Sequence, residues 1–147
     1  RGNNFLRSML RLGQEREGLN IVNDQIGAPT PARLIATVTL LCIQRILVSN
    51  KAQELSGVYH LAPSGYTSWY GFAKTIFEGA RSKGIELALK EEGLGQIESS
   101  EYPTPAARPL NSRLSLDKIE SAFGLSMPTW QSQLALTLDE WLEMNQS

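Results

Sequence analysis

Apolar and polar positions alternate along the chain in a pattern that predicts helices and short strands in turn. Apolar residues at helical spacing predict a first helix after Asn3-Asn4, whose side chains suit a helix N-cap, and Gly18 is expected to end it. A short strand is predicted at about 19–22 because Ile21 and Val22 are β-branched residues that favour strands. The loop at 23–30 follows this strand, and its polar and turn-forming residues cannot continue it.

A second helix is predicted from Pro31 to about Ser49, with Thr30 as its N-cap and proline at the first helical position. Apolar residues occupy most of its circumference, so we expect this helix to be mostly buried. The longest apolar runs of the chain are shorter than the ~20 residues that cross a bilayer. No charged-then-apolar signal opens the sequence.

The same alternation returns further along the chain. Val58 to Ala62 is predicted as a second short strand, closed by turn residues. A third helix follows, capped by Thr67 or Ser68 and stopped by Gly84. Helices that alternate with strands in this order indicate parallel strands covered by helices.

The last third of the chain has a weaker pattern. Segment 91–98 has too little periodicity to predict a helix or a strand. Segment 99–114 holds three of the seven prolines, so we expect an irregular, stiffened loop. Two final helices are predicted, capped by Ser115 and Thr129.

Two predicted strands make a poor sheet, which indicates that other strands of the same domain lie elsewhere. The chain therefore resembles half of an α/β domain, and its first residue, Arg1, rather than a methionine, agrees with that interpretation. At 147 residues it is treated as a single unit, 1–147.

Composition excludes some classes of partner and site. The 14 basic and 15 acidic side chains give a net charge of -1, so nothing predicts binding to nucleic acid or to an anionic membrane. Cys42 is the single cysteine, which excludes an intramolecular disulfide and favours a cytoplasmic location. It lies in an apolar run, where a buried structural thiol is the simpler interpretation. His60, the single histidine, is interpreted as a core or edge residue.

Two patterns suggest chemistry, and each has a plain structural alternative. Tyr70 and Lys74 have the Tyr-x-x-x-Lys spacing at which a lysine assists proton transfer, but no glycine-rich dinucleotide turn precedes them. Packing is the favoured explanation of this pair. Arg108 and Arg113 could clamp a diphosphate, although arginines are common on protein surfaces.

Five runs of the sequence, in register across nearly the whole chain, resemble the dTDP-4-dehydrorhamnose reductases. They are Gly2-Asn3-Asn4-Phe5 with Met9-Leu10, Val22 to Thr30, Gly57 to Leu61, the helix start Ser68-Trp69, and Arg108 to Leu114. The resemblance covers only the C-terminal half of such an enzyme. It implies the late parallel strands of a Rossmann-type extended short-chain reductase together with a mostly helical substrate-binding lobe.

That family reduces the C4 keto group of dTDP-4-dehydro-L-rhamnose with NADPH, or NADH in some members, in nucleotide-sugar synthesis for cell-surface polysaccharide. The resemblance implies that the cofactor turn and the catalytic residues belong to the other half, so this chain has no catalytic residue and is inactive alone. It places a substrate-binding set on this half, with Asn111 and Arg113 as the weaker members. The set is Asn4, Gln25, Arg108, Asn111 and Arg113.

Some members of the family form metal-bridged dimers, so the resemblance adds a homodimer to the candidate assemblies and Mg²⁺ to the candidate cofactors. Glu15, Glu17 and Glu140 fall in regions that would suit such a metal. Two alternatives to a reductase half stay open. One is a non-catalytic, reductase-like regulatory or binding subunit, and the other is a related reductase or epimerase acting on another nucleotide sugar.

Overall fold

A computed structural model of the chain describes residues 4–49, 52–102 and 108–145. Its α-helices are α1 (Phe5–Glu15), α2 (Ala32–Ser49), α3 (Trp69–Ser82), α4 (Asp117–Phe123) and α5 (Trp130–Asn145). Its strands are β1 (Leu19–Val22), β2 (Ile26–Gly27), β3 (Thr67–Ser68) and β4 (Leu94–Ile97). Short 3₁₀ turns flank β4 at Glu91–Gly93 and Ser99–Glu101.

Three helices begin at the cap residues that the sequence predicts. The Asn4 side chain accepts a hydrogen bond from the Arg7 backbone N–H at 2.9 Å. The Ser68 hydroxyl accepts from Gly71 N–H at 2.9 Å, and Thr129 accepts from Ser132 N–H at 3.2 Å. Each bond satisfies a donor that the first helical turn leaves unpaired, so these helix starts are encoded locally. Asn3, the other predicted cap of α1, lies outside the described residues.

Two predicted helix starts shift by one or two residues. Helix α2 begins at Ala32, and the Thr30 hydroxyl donates to the Ala28 carbonyl at 2.9 Å instead of capping the helix. Helix α4 begins at Asp117, whose N–H donates to the Ser115 hydroxyl at 3.4 Å. In both cases the hydroxyl side chain stabilises the turn before the helix, which is a common alternative role of these residues.

The parallel strands of the fold are β1 and β4, paired from Leu19 with Leu94 to Val22 with Ile97. Parallel pairing of strands is as predicted, but β1's partner lies in segment 91–98, where the periodicity predicted no element. Strand β4 has Gly95 and the exposed Gln96 in its middle, which hides its strand pattern. The pairing is recognisable only once the two segments lie side by side.

The predicted strand at 58–62 is wrong, because no strand is assigned there. Val58 and His60 are exposed whereas Tyr59 and Leu61 are half-buried, so the alternation that suggested a strand is real. Among the described residues, however, this segment has no neighbouring strand to pair with. The Val58 carbonyl accepts a hydrogen bond from Lys118 Nζ at 2.8 Å instead.

The core is divided into two apolar clusters. The larger one joins α1, α3 and α5, where Leu10, Ile76, Phe77 and Leu138 are almost completely buried. The smaller one joins α2 to α4 and the segment after it. Helices α1 and α3 can approach closely because Gly13 has no side chain. A Cβ atom added at Gly13 would lie 2.7 Å from the Phe77 ring.

The prediction that α2 is mostly buried is wrong in this chain. Leu34 and Val38 are buried, but the apolar side chains of Ile35, Leu47 and Val48 are exposed, the last by 83%. By length and composition α2 could cross a membrane, with a mean hydropathy of 1.6 over 18 residues and 11% of them buried. The core helix of a water-soluble domain passes the same test. The helix is apolar on several faces, and the described residues cover only one of them.

Candidate functional site

The candidate site is a cleft of about 220 Å³ beside the β1–α2 loop. Residues 25–29 form one wall, and Thr67, Ser68 and Trp69 at the start of α3 form the second. Phe72 from the next turn of α3 lies with them, and Arg108, Pro109 and Ser112 form the third wall. The loop follows the carboxyl end of β1, which is the edge of a parallel sheet at which ligands bind.

Strand β2 holds the three walls together. It pairs with β3 in antiparallel fashion, Ile26 opposite Ser68 and Gly27 opposite Thr67. On its other side the Ile26 N–H donates to the Leu110 carbonyl at 2.8 Å, and the Ser112 N–H donates to the Ile26 carbonyl at 2.8 Å. These bonds bring the predicted proline-rich loop against β2. Arg108 thereby lines the cleft, although residues 103–107 before it lie outside the described part of the chain.

Two polar networks anchor the loop behind the cleft. Asn23 accepts from the Ser68 hydroxyl at 2.6 Å and donates to the Gln96 side chain at 2.7 Å. Asp24 accepts from the Ser99 hydroxyl at 2.6 Å and from its backbone N–H at 3.0 Å. The ends of β1, β4 and the start of α3 are therefore joined by side chains just behind the cleft wall.

The Ser99 hydroxyl, aided by the Ser99 backbone N–H, holds the pKa of Asp24 below its usual value, against a smaller opposing effect of partial burial. A carboxyl whose pKa is lower in the folded state stabilises the fold above its unfolded pKa. That contribution is lost as the pH falls through the folded value, below the ordinary 3.8.

We therefore expect Asp24→Asn to flatten the acid limb of the stability profile. Asparagine cannot ionise, so the variant's free energy of unfolding should change less between about pH 7 and about pH 3 than that of the unsubstituted chain. Urea unfolding at a series of pH values measures this difference. Asp139→Asn is the control for the general effect of removing one carboxylate, because Asp139 lies outside the loop and pairs with Lys83. Identical acid limbs in Asp24→Asn and the unsubstituted chain would contradict the assignment.

The structure brings two of the five predicted substrate-binding residues to the cleft. Gln25 and Arg108 both line it. Asn4 caps α1 and lines an adjoining cleft of about 570 Å³. Asn111 and Arg113 do not line either cleft: Asn111 Oδ1 accepts from Arg113 Nε at 3.0 Å, and the Arg113 guanidinium lies 4.6 Å from the centre of the Tyr66 ring.

The adjoining cleft shares Pro29, Trp69 and Phe72 with the first, so the two lie side by side. Its floor is aromatic, since the Phe5 ring lies 4.7 Å from Trp69 and 5.4 Å from Phe72 between ring centres. At its far side Arg33 pairs with Glu140, and the Arg33 Nη2 atom is buried with no hydrogen-bond partner among the described residues. Apart from the apolar spacing of α3, no feature of the sequence indicates this cleft.

Other candidate groups lie elsewhere. Tyr70 and Lys74 line a separate cleft on the opposite side of α3's start, where Lys74 is 3.8 Å from Glu78. Cys42 is half-buried, and burial raises the pKa of its thiol, which agrees with a structural role. His60 is exposed rather than in the core.

Two of the three carboxylates in regions that would suit a metal are engaged in ion pairs. Glu15 pairs with Arg11 at 2.8 Å, and Glu140 pairs with Arg33. Within residues 4–49, 52–102 and 108–145 no group of three or more His, Cys, Asp or Glu side chains is placed to hold a metal ion.

Fold and cleft together define a class of protein: the ligand-binding part of an α/β protein whose site lies at the carboxyl ends of parallel strands. The model of one family, the RmlD substrate binding domain, matches residues 1–143. The chain belongs to this family, which confirms the resemblance found in the sequence.

Relatives and solved structures agree. The chain is 46% identical over 140 residues to a protein named dTDP-4-dehydrorhamnose reductase from Escherichia coli (strain K12), covering 95% of this chain and 45% of that protein. The reductase of Bacillus anthracis, solved in complex with NADP, superposes with a TM-score of 0.74 at 32% identity, covering 95% of this chain and 44% of the other. That of Clostridium acetobutylicum gives a TM-score of 0.76 at 30% identity, covering 99% and 45%. The chain thus spans about 45% of the length of its relatives.

Proposed function

We propose that this chain is the substrate-binding portion of an NAD(P)H-dependent dTDP-4-dehydrorhamnose reductase, which forms dTDP-L-rhamnose. Membership of the substrate-binding family and 46% identity to a reductase of that name support this function. The observation that carries it is the cleft in which Gln25, Trp69 and Arg108 come together from three separate segments. An arginine fork beside an aromatic wall suits the diphosphate and ring of a nucleotide sugar.

The volume of the cleft limits how much of the ligand it holds. Small-molecule sites commonly measure about 300–1,000 Å³. The first cleft, at about 220 Å³, is too small for a whole nucleotide sugar, whereas the adjoining cleft offers about 570 Å³. In this proposal the diphosphate lies near Arg108, and Asn4 lies within reach of the remainder of the ligand. Asn111 and Arg113 line neither cleft, so their role in binding stays a prediction of the family resemblance.

The chain's own residues do not fit a dinucleotide. Loops after β1 and β4 carry Asp24 and Ser99, where a Rossmann turn would carry glycines beside a helix N-terminus. In the proposed enzyme NADPH or NADH therefore belongs to the preceding half, and this chain binds and orients the keto-sugar. Cytoplasmic location, a homodimer, Mg²⁺ and the lack of nucleic-acid or membrane partners remain predictions of the sequence.

The test compares two proteins and two ligands. The full-length enzyme should reduce the dTDP-keto-sugar, whereas the 147 residues alone should not. Titration of the full-length protein should favour dTDP-rhamnose over UDP-sugars. Preference for a UDP-sugar would favour the related reductase or epimerase, and binding of the dTDP-sugar without turnover would favour the non-catalytic subunit. Turnover by the isolated chain would overturn the assignment of catalysis to the other half.

Arg108→Ala in the full-length enzyme should raise KM for the dTDP-sugar by roughly 10- to 150-fold. The variant removes a charge-assisted contact worth about 1.5–3 kcal/mol. Steady-state kinetics measure the change. Arg11→Ala is the matched control, because Arg11 is an exposed arginine that pairs with Glu15 on α1 and lines neither cleft. Equal KM values in the two variants would show that Arg108 is an ordinary surface arginine that does not contact the dTDP-sugar.

A further inference from the structure

Ser99 lies between two residues of the β1–α2 loop and bonds to both of them. Its hydroxyl donates to Asp24 Oδ1 at 2.6 Å, and its backbone N–H donates to both Asp24 oxygens at 3.0 and 3.1 Å. Gln25 Nε2 donates to the Ser99 hydroxyl oxygen at 2.9 Å. Three side chains thus form a chain of hydrogen bonds that ends at the wall of the cleft, because Gln25 lines it.

The direction of these bonds follows from counting protons. A serine hydroxyl carries one proton, and an ionised carboxylate can only accept. With the carboxylate of Asp24 ionised, the Ser99 proton must point at Asp24, so the Ser99 oxygen can only accept from its other neighbour. The amide group of Gln25 must then turn its NH₂ toward Ser99. Its carbonyl oxygen, Oε1, is left as the acceptor that it can offer to a ligand.

We propose that Asp24 and Ser99 are positioning residues that hold the Gln25 amide with its carbonyl oxygen presented to the ligand, so that this wall of the cleft selects a hydrogen-bond donor. In a dTDP-sugar the donors of that kind are hydroxyl groups of the sugar and the N–H of the base. This inference rests on the proposed function, since it assumes that the cleft binds the dTDP-sugar.

Asp24→Asn tests the direction of these hydrogen bonds with almost no change in the shape of the side chain. An asparagine amide can donate to the Ser99 oxygen, which frees the Ser99 proton to point at Gln25. The Gln25 amide can then reverse and offer NH₂ in place of its carbonyl oxygen. We expect the Kd of the full-length enzyme for dTDP-rhamnose to rise about 3- to 10-fold, the size of one hydrogen bond to a ligand.

Ser99→Ala removes the hydroxyl that links Asp24 to Gln25 and should raise the Kd by a similar factor. Ser99→Thr keeps the hydroxyl and should bind with the Kd of the unsubstituted enzyme. Ser100→Ala is the matched control, since Ser100 is an exposed serine in the same 3₁₀ turn. Isothermal titration calorimetry measures the Kd, and thermal unfolding shows that each variant is folded.

A double-mutant cycle separates positioning from a general structural role. If Ser99 acts through Gln25, Ser99→Ala should change the Kd little in a Gln25→Ala background, so that the two effects are not additive. An equal factor in both backgrounds, or wild-type Kd in both Asp24→Asn and Ser99→Ala, would overturn the positioning role. A wild-type enzyme that does not bind dTDP-rhamnose would instead overturn the proposed function, and with it the ligand named here.

Discussion

Replacing Phe77 with alanine is expected to lower the free energy of unfolding by about 3–5 kcal/mol, the usual cost of removing a large buried aromatic side chain. Phe77 is 1% exposed in the centre of the larger core cluster, where α1, α3 and α5 meet. The close contact between its ring and Gly13 leaves little slack for neighbouring groups to fill the cavity. Urea unfolding of the 147-residue chain at neutral pH measures the loss.

Tyr102→Ala is the control for Phe77→Ala, because Tyr102 is an aromatic side chain that is 60% exposed. Its removal should change the free energy of unfolding by no more than about 0.5 kcal/mol. Phe77→Leu, which keeps an apolar side chain in the cavity, should cost less than Phe77→Ala. A cost below about 1 kcal/mol for Phe77→Ala would show that this part of the core is not closely packed.

Gly93→Ala is expected to cost about 3 kcal/mol, at the upper end for an overpacked position. A Cβ atom at Gly93 would lie 2.0 Å from the Glu17 carbonyl oxygen, which is a backbone atom and cannot rotate away. Gly93 and Glu17 lie where the chain enters β4 and β1, so the collision would separate the two parallel strands at their first pair, Leu19 and Leu94.

Gly124→Ala is the control that measures the cost of backbone strain without a collision. Gly124 has a φ of 64° and nothing within 4 Å of an added Cβ, so alanine there meets only the left-handed strain of about 1–2 kcal/mol. We expect Gly93→Ala to be the more destabilising of the two in urea unfolding. The reverse order would show that the entry to β1 and β4 can relax around a side chain.

Helix α2 shows the limit of a burial prediction that rests on a local pattern. Apolar residues around the whole helix predict burial, yet only Leu34 and Val38 are buried here. The pattern of the helix shows that these faces are apolar, but it does not show which segment covers them. The same reasoning applies to the alternating segment 58–62, which has strand periodicity but no partner strand among the described residues.

Prediction of the candidate site from sequence was limited by distance along the chain. The family resemblance puts Gln25 and Arg108 in one substrate-binding set, and the two do lie together at the cleft. Ser99 was not recognised, because its role depends on Asp24, which is 75 residues away. Strand β4 carries too weak a pattern to be identified, so nothing placed its carboxyl end beside that of β1.

The sequence by itself determined the features of this protein that depend on bonds between near neighbours. The caps Asn4, Ser68 and Thr129 each bond to a backbone N–H three residues on, so the starts of α1, α3 and α5 could be predicted. Only the tertiary structure decided which strand pairs with β1, how the three walls of the cleft meet, and which faces of α2 are covered. Those features depend on contacts between segments far apart in sequence, and a local pattern of apolar and polar residues does not specify the partner.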